Sequence, residues 1–367
     1  MTYRPSLSWC AVVCLALLTS WSSGGCQDEV GEGAAGEGQT EQGADAGDLG
    51  VDPPEDVGAQ DVAQPEPDAA ADAALDVPGP EVGDPADPLE LGREASAAEL
   101  EQTIVDLEDF GTRYTGTAGE SAARSYLVGR LEEYGLEVEL DPFNLGRTET
   151  ANIIAKIPGQ TDPDVVWIFS AHYDSTSQNP MVTAPGADDN ASGVAAVLEA
   201  ARILSGQPFR HSLWLVLTAA EEQGSRGSLH MTSWMTDAGV DVRGVIAPDM
   251  IGYWPLGDDD AMDILGDTGS SHLADQMASV ADALGVPYKK FIEHSYCYGD
   301  DHTNFQEAGF PAIAPMDCVE AHNLPGMGEE TPHYHRESDT VDTLYLPFTK
   351  RVVEVQIATF AMWGEPL

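Results

Sequence analysis

The chain has 367 residues and a formal net charge of -47, from 63 acidic side chains against 16 Lys and Arg. A surface this acidic repels a phosphate backbone, so nucleic acid is excluded as a partner. Five cysteines are too few, and wrongly spaced, for a cysteine-ligated zinc site.

In chain order, Arg4 is followed by the short apolar run Cys10–Leu18 and then by small residues. This is the layout of a secretory signal, and the run is too short to span a bilayer permanently. Ser23-Gly24-Gly25-Cys26 is similar to a bacterial lipobox, with Ser23 where Leu is usual. Residues 1–26 are therefore expected to be a signal peptide of lipoprotein type, with Cys26 as the lipidated first residue and plain secretion as the other reading. Any membrane contact would then run only through this N-terminal lipid anchor, and the protein would be exported, to the cell envelope or beyond. Residues 27–90 hold no Lys, Arg or aromatic side chain. They bury too little apolar area to offset ordering, which predicts a disordered acidic linker. It also accounts for much of the net charge, although the remainder is still acidic.

Residues 91–367 are expected to form one domain. Helices are predicted over Ala95–Phe110, Thr117–Tyr134, Gly193–Leu204, Ser225–Ala238 and Pro347–Trp363. Strands are predicted over Leu136–Phe143, Ala151–Ile157, Val165–Ser170 and Ser212–Ala219, with shorter apolar runs at Gly244–Pro248 and Ala312–Met316. Alternating strands and helices imply an α/β domain, a mixed, mainly parallel sheet with helices on both faces. Cys297 and Cys318 could pair in an exported chain or stay as two buried thiols.

The chemistry-bearing groups lie where such a sheet would gather them. His172 and Asp174 follow the buried run Val165–Phe169, and Asp188-Asp189-Asn190 sits in the Gly-flanked loop after it. Glu221-Glu222 follows Leu213–Ala219, Asp249 follows Val245–Pro248, and His335 closes the late segment. Taken singly, each has an ordinary explanation, such as turn chemistry or a solvated helix start. Together they put carboxylates and histidines at one edge of a parallel sheet, where ligand sites form. Desolvated carboxylates need a counter-ion, and this donor mix suits zinc. The chain carries no Gly-x-Ser-x-Gly and no His-Glu-x-x-His, so a serine hydrolase elbow and a helix-borne zinc motif are both excluded.

His172-x-Asp174, Gly186-Ala-Asp-Asp-Asn-Ala-Ser-Gly193, Ala220-Glu-Glu222, Asp249 and His335-x-x-x-Asp339-Thr340 resemble the co-catalytic zinc aminopeptidases of peptidase family M28. Arg113-Tyr-Thr-Gly-Thr-Ala-Gly119 and Asp301-His302 with Phe305 are similar to the same pattern. The resemblance implies a phosphorylase/hydrolase-like sandwich, two Zn²⁺ per chain and peptide substrates cleaved at their N-termini. It also implies Asp189 as the bridging ligand, His172 and Asp249 on one zinc, and Glu222 and His335 on the other. Asp174 would hold the His172 ring, and Glu221, a free carboxylate, would be the general base toward a metal-bridging hydroxide. A cis peptide after Asp189 and a tyrosine near the oxyanion, Tyr296 or Tyr298, belong to the same implication. Asp188 competes with Asp189, and His333 with His335. Carboxypeptidases, glutaminyl cyclases and non-catalytic surface binding modules share the fold and are the alternatives.

Overall fold

The computed structural model describes residues 84–254, 261–292, 299–316 and 331–367. The signal segment with Cys26, nearly all of the acidic linker, Tyr296, Cys297, Tyr298 and Cys318 lie outside them. Among the described residues, no helix is long and apolar enough to cross a membrane.

Three helices come first: α1 (Pro88–Arg93), α2 (Ala97–Glu108) and α3 (Ala118–Glu133). The Ser96 and Thr117 hydroxyls cap α2 and α3 by accepting from the amides of Glu99 and Glu120. A hairpin of β1 (Glu137–Leu145) and β2 (Thr148–Ile157) leads into β3 (Asp162–His172). Then come α4 (Gly193–Leu204), β4 (His211–Thr218), α5 (Arg226–Ala238) and β5 (Asp241–Ile246). The last part holds β6 (Met262–Gly266), α6 (Ser271–Leu284), β7 (Tyr288–Ile292), α7 (Asp301–Glu307), β8 (Ala312–Met316) and α8 (Leu346–Gly364). The elements absent from the sequence reading are α1, β6, α6, β7 and α7. Most are short or only half-buried, so they carry little periodicity.

The strands form one eight-stranded sheet in the order β1-β2-β4-β3-β5-β8-β6-β7. Its centre, β4-β3-β5-β8, is parallel; β2 joins β4, and β6 joins β8, antiparallel. The strand period of two divides β3 between two cores. Val166 and Ile168 pack with Met231 and Met235 of α5 and Phe305 of α7. Phe169 and Ala171 face the larger core with Val197 of α4 and Phe360 of α8. Helices therefore cover both faces, and the C-terminal edge of the parallel block is left free for chemistry.

Phe169 is fully buried and meets Phe360 edge-on, with ring centroids 5.5 Å apart. Phe169→Ala should lower the unfolding free energy by about 3–5 kcal/mol in urea titration. A loss below about 1 kcal/mol would show that this face is not the principal core.

Candidate metal centre

Neighbouring parallel strands bring the sheet-edge residues together. His172 ends β3 and is in register with Thr218, the end of β4, beyond which Glu221 and Glu222 follow. Asp249 follows β5 on the other side of β3. Asp189 comes from the turn Ala187–Ser192 that opens α4. His335 arrives from the segment preceding α8.

The Asp189 carboxylate lies between two histidines. Its Oδ1 is 3.3 Å from His172 Nε2, and its Oδ2 is 3.3 Å from His335 Nε2. Each histidine faces a second carboxylate: His172 Nε2 is 3.2 Å from Asp249 Oδ2, and His335 Nε2 is 3.1 Å from Glu222 Oε2. Two donor triads thus share Asp189. The competing residues point elsewhere. Asp188 Oδ1 accepts the Gly252 amide at 2.7 Å, and His333 Nδ1 lies 2.9 Å from the Ser338 hydroxyl. The Asp189–Asn190 peptide bond is cis.

Around the triads stands a scaffold of hydrogen bonds. Asp174 Oδ1 and Oδ2 accept the amides of Glu221 and Glu222, at 3.0 and 3.3 Å. The acceptor nearest His172 Nδ1 is the Asp174 carbonyl, at 3.2 Å, whereas the Asp174 carboxylate is 3.7 Å away. Asp174 therefore orients the imidazole mainly through its backbone and spends its carboxylate on the Glu221-Glu222 turn. Asp339 accepts the amides of Asp188 and Asp189, at 2.8 and 3.1 Å. Asn190 donates to the Pro248 carbonyl at 3.0 Å and accepts the Gly193 amide at 2.9 Å, joining the Asp189 turn to the Asp249 loop. A Cβ on Gly193 would lie 2.3 Å from Asn190 Oδ1, so only glycine fits beside that amide.

Arg113 is the buried cation behind this scaffold. Its guanidinium donates to the carbonyls of Tyr173, Leu107, Pro185 and Gly186 and is fully buried. It holds the end of β3 against the approach to Asp189. Burial pushes its pKa down to about 10, leaving it charged at neutral pH. Asp301, part of the sequence pattern shared with the family, is structural: it accepts from the hydroxyls of Thr218 and Ser228 and ties α7 to β4 and α5.

Glu221 belongs to neither triad, and its carboxylate is held by a hydrogen bond. Its Oε1 is 2.8 Å from the Ser225 hydroxyl, which also reaches the Gly299 carbonyl at 2.7 Å. Ser225, and the cleft residues Asp300 and Tyr334, were missed in the sequence. A Ser four residues past a Glu in a turn was the available sign of the first contact. Ala220, Ser225, Met250 and His335 all have positive φ, 57°, 51°, 45° and 53°. Non-glycine residues held in that region cost about 1–3 kcal/mol each and tend to gather at functional sites.

The electrostatics are those of buried carboxylates crowded around two histidines. Burial pushes the Glu222 carboxyl up to about 8 and raises that of Asp249. Burial also drives Glu221 well above the usual carboxylate range. Burial disfavours a charged His335, but Asp189 and Glu222 outweigh it and hold the ring up to about 10. Asp189 is likewise opposed by burial, yet His172 and His335 pull it below its ordinary value. Glu222 Oε1 and Asp249 Oδ1 are buried with no hydrogen-bond partner. One donor atom each from His172, Asp189 and Glu222 falls within a 4.8 Å cluster. Imidazole nitrogen and carboxylate oxygen fit zinc, and a divalent cation would satisfy the orphaned oxygens.

Such a cluster at a parallel sheet edge, under helices on both faces, defines a metallohydrolase-type centre on an α/β fold. The family model for peptidase family M28 matches residues 152–360, more than half of the chain. The protein belongs to peptidase family M28, a family of zinc metallopeptidases. A probable zinc metalloprotease of Pyrenophora tritici-repentis is 28% identical, with 85% of this chain and 71% of that protein covered. Among solved structures, the Legionella pneumophila LapA aminopeptidase is similar at a TM-score of 0.65 and 22% identity, covering 76% of this chain and 75% of its own. The Bacillus subtilis zinc aminopeptidase BSAP matches at 0.62 and 17%, covering 74% and 95%. A glutaminyl cyclase of Porphyromonas gingivalis matches at 0.61 and 23%, covering 73% and 99%. These likenesses show the fold.

Zinc ligation requires Glu222 ionised and His335 neutral. In the metal-free protein both groups bind protons more tightly than in the unfolded chain. Their contribution to stability is therefore full below their ordinary pKa values and is lost as pH rises through about 8 and about 10. Zinc meets less proton competition over the same range, so the zinc-induced rise in Tm should be larger at pH 8.5 than at pH 6. A shift that is flat or shrinks with pH would contradict this ligand set.

Proposed function

We propose that this metallopeptidase is a two-zinc exopeptidase that removes N-terminal residues from peptides. The observation that carries the reading is the division of Asp189 between two triads, each with one histidine and one further carboxylate. His172 and Asp249 would hold one zinc, Glu222 and His335 the other, and Asp189 both. When bound, the metals supply Lewis acidity, which polarises the scissile carbonyl and lets water attack near neutral pH.

Glu221, held by Ser225 and by its own amide on Asp174, lines the same cleft without belonging to either triad. It would accept the proton from the attacking water as oxygen bonds to the carbonyl carbon, then pass it to the nitrogen as the C–N bond breaks. The cleft measures about 280 Å³ and is lined by the ligand carboxylates, Glu221 and His335 together with Met250, Met316 and Tyr334. A larger cavity of about 620 Å³ is lined mainly by β1 and β2 residues, none of them from the metal centre.

Glu221→Gln should retain its zinc and lose about 10²- to 10⁴-fold in kcat on aminoacyl substrates. Wild-type activity should vanish with chelator and spare N-blocked peptides. Trimming of N-blocked peptides from the C-terminus would instead make the protein a carboxypeptidase. Export to the cell envelope through a lipidated Cys26 is also proposed, supported by the signal-like start of the chain. Mass spectrometry of the mature N-terminus should show a diacyl-modified Cys26; an unmodified residue further on would rule the anchor out.

A further inference from the structure

One carboxylate of the cleft has no part in the proposed chemistry. Asp300 lines the cleft beside Asp249 and Glu221, yet it belongs to neither donor triad. Its Oδ2 is buried with no hydrogen-bond partner, while the residue as a whole keeps part of its surface open. No Lys or Arg stands among the described residues that line the cleft. The backbone that carries Asp300 is fixed: the Gly299 carbonyl accepts from the Ser225 hydroxyl at 2.7 Å, and the Gly299 amide donates to Thr303 Oγ1 at 3.2 Å.

A carboxylate kept out of water without a partner is costly, and a cationic substrate group would remove that cost. Among the described residues the cleft is lined by five carboxylates, one more than the four positive charges of two zinc ions would balance. The same cleft also offers an apolar strip, Met250, Met316 and the ring of Tyr334, which pack together. An acid beside an apolar strip matches the two surfaces of Lys and Arg, an aliphatic stem with a charged head. We propose that Asp300 is a specificity residue that selects peptides with Lys or Arg at the N-terminus, its carboxylate pairing with the basic side chain. This rests on the exopeptidase reading.

The test uses the zinc-loaded full-length protein, wild type and Asp300→Asn, on the Lys, Arg, Leu and Met p-nitroanilides, with zinc counted per chain. Wild type should favour Lys and Arg. Asp300→Asn should lose about 10- to 100-fold in kcat/KM on those two, mostly through KM, and stay within about twofold on Leu and Met. An equal loss on Leu would assign Asp300 to the α-amine or to structure and overturn the inference, as would loss of zinc. Asp300→Ser serves if the Asn variant does not fold. If no aminoacyl substrate is turned over, the exopeptidase reading falls separately, and calorimetry with n-butylamine against n-butanol decides the role of Asp300. Amine affinity weakened about tenfold in the variant sustains it, and unchanged affinity overturns it.

Discussion

Asp189 offers one carboxylate oxygen to each of two histidines, and neither pair would be tolerable in a desolvated site without the compensation around it. The carboxylates Glu222 and Asp249 close the two triads, leaving buried oxygens without hydrogen-bond donors. Protons and histidine charge can neutralise the cluster in part, which is why its groups titrate so far from their ordinary values. A pair of divalent cations would neutralise it better. The site thus gathers carboxylates that suit cations, and much of the nearby structure serves to hold these like charges close together.

That work is done by backbone amides and one buried arginine. Asp174 and Asp339 each use both carboxylate oxygens to fix a ligand-bearing turn, the first at Glu221-Glu222 and the second at Asp188-Asp189. Arg113 spends its donors on four carbonyls along the approaches to both histidine-bearing and aspartate-bearing segments. Asn190 ties the third segment in through Pro248. The turns that carry Asp189 and Glu222, and the loop that carries Asp249, are therefore positioned by partners remote in sequence. The parallel block makes this possible, because β4, β3 and β5 end on one edge and need only short turns to converge.

Ser225 links the chemistry to the cleft wall. Its hydroxyl spans Glu221 and the Gly299 carbonyl, so the residue assigned to proton transfer and the loop bearing Asp300 share one anchor. The same cleft has an apolar lining of Met250, Met316 and Tyr334, the last stacked on His335 at a ring separation of 3.7 Å.

The ligand types and their order were legible in the chain because each follows a recognisable apolar strand or opens a recognisable helix. His172, Glu222 and Asp249 are placed at one edge by hydrophobic patterning and the parallel-sheet rule alone. The helix Gly193–Leu204 and the strand Ala312–Met316 were read with the same bounds that the structure has, since the strand is apolar throughout and the helix is apolar except for Glu199 and Arg202. The late elements β6, α6 and β7 were not read: the two strands are only five residues long, too short for an alternation to stand out, whereas α6 is amphipathic and its pattern was there to be found. The choice of Asp189 over Asp188, and of His335 over His333, came from the family resemblance rather than from patterning, and its physical reason is side-chain direction: Asp188 turns to the Gly252 amide and His333 to Ser338. Likewise the uses of Arg113, Ser225 and Asp300 exist only where distant segments meet, and pairing of that kind is decided by the tertiary structure.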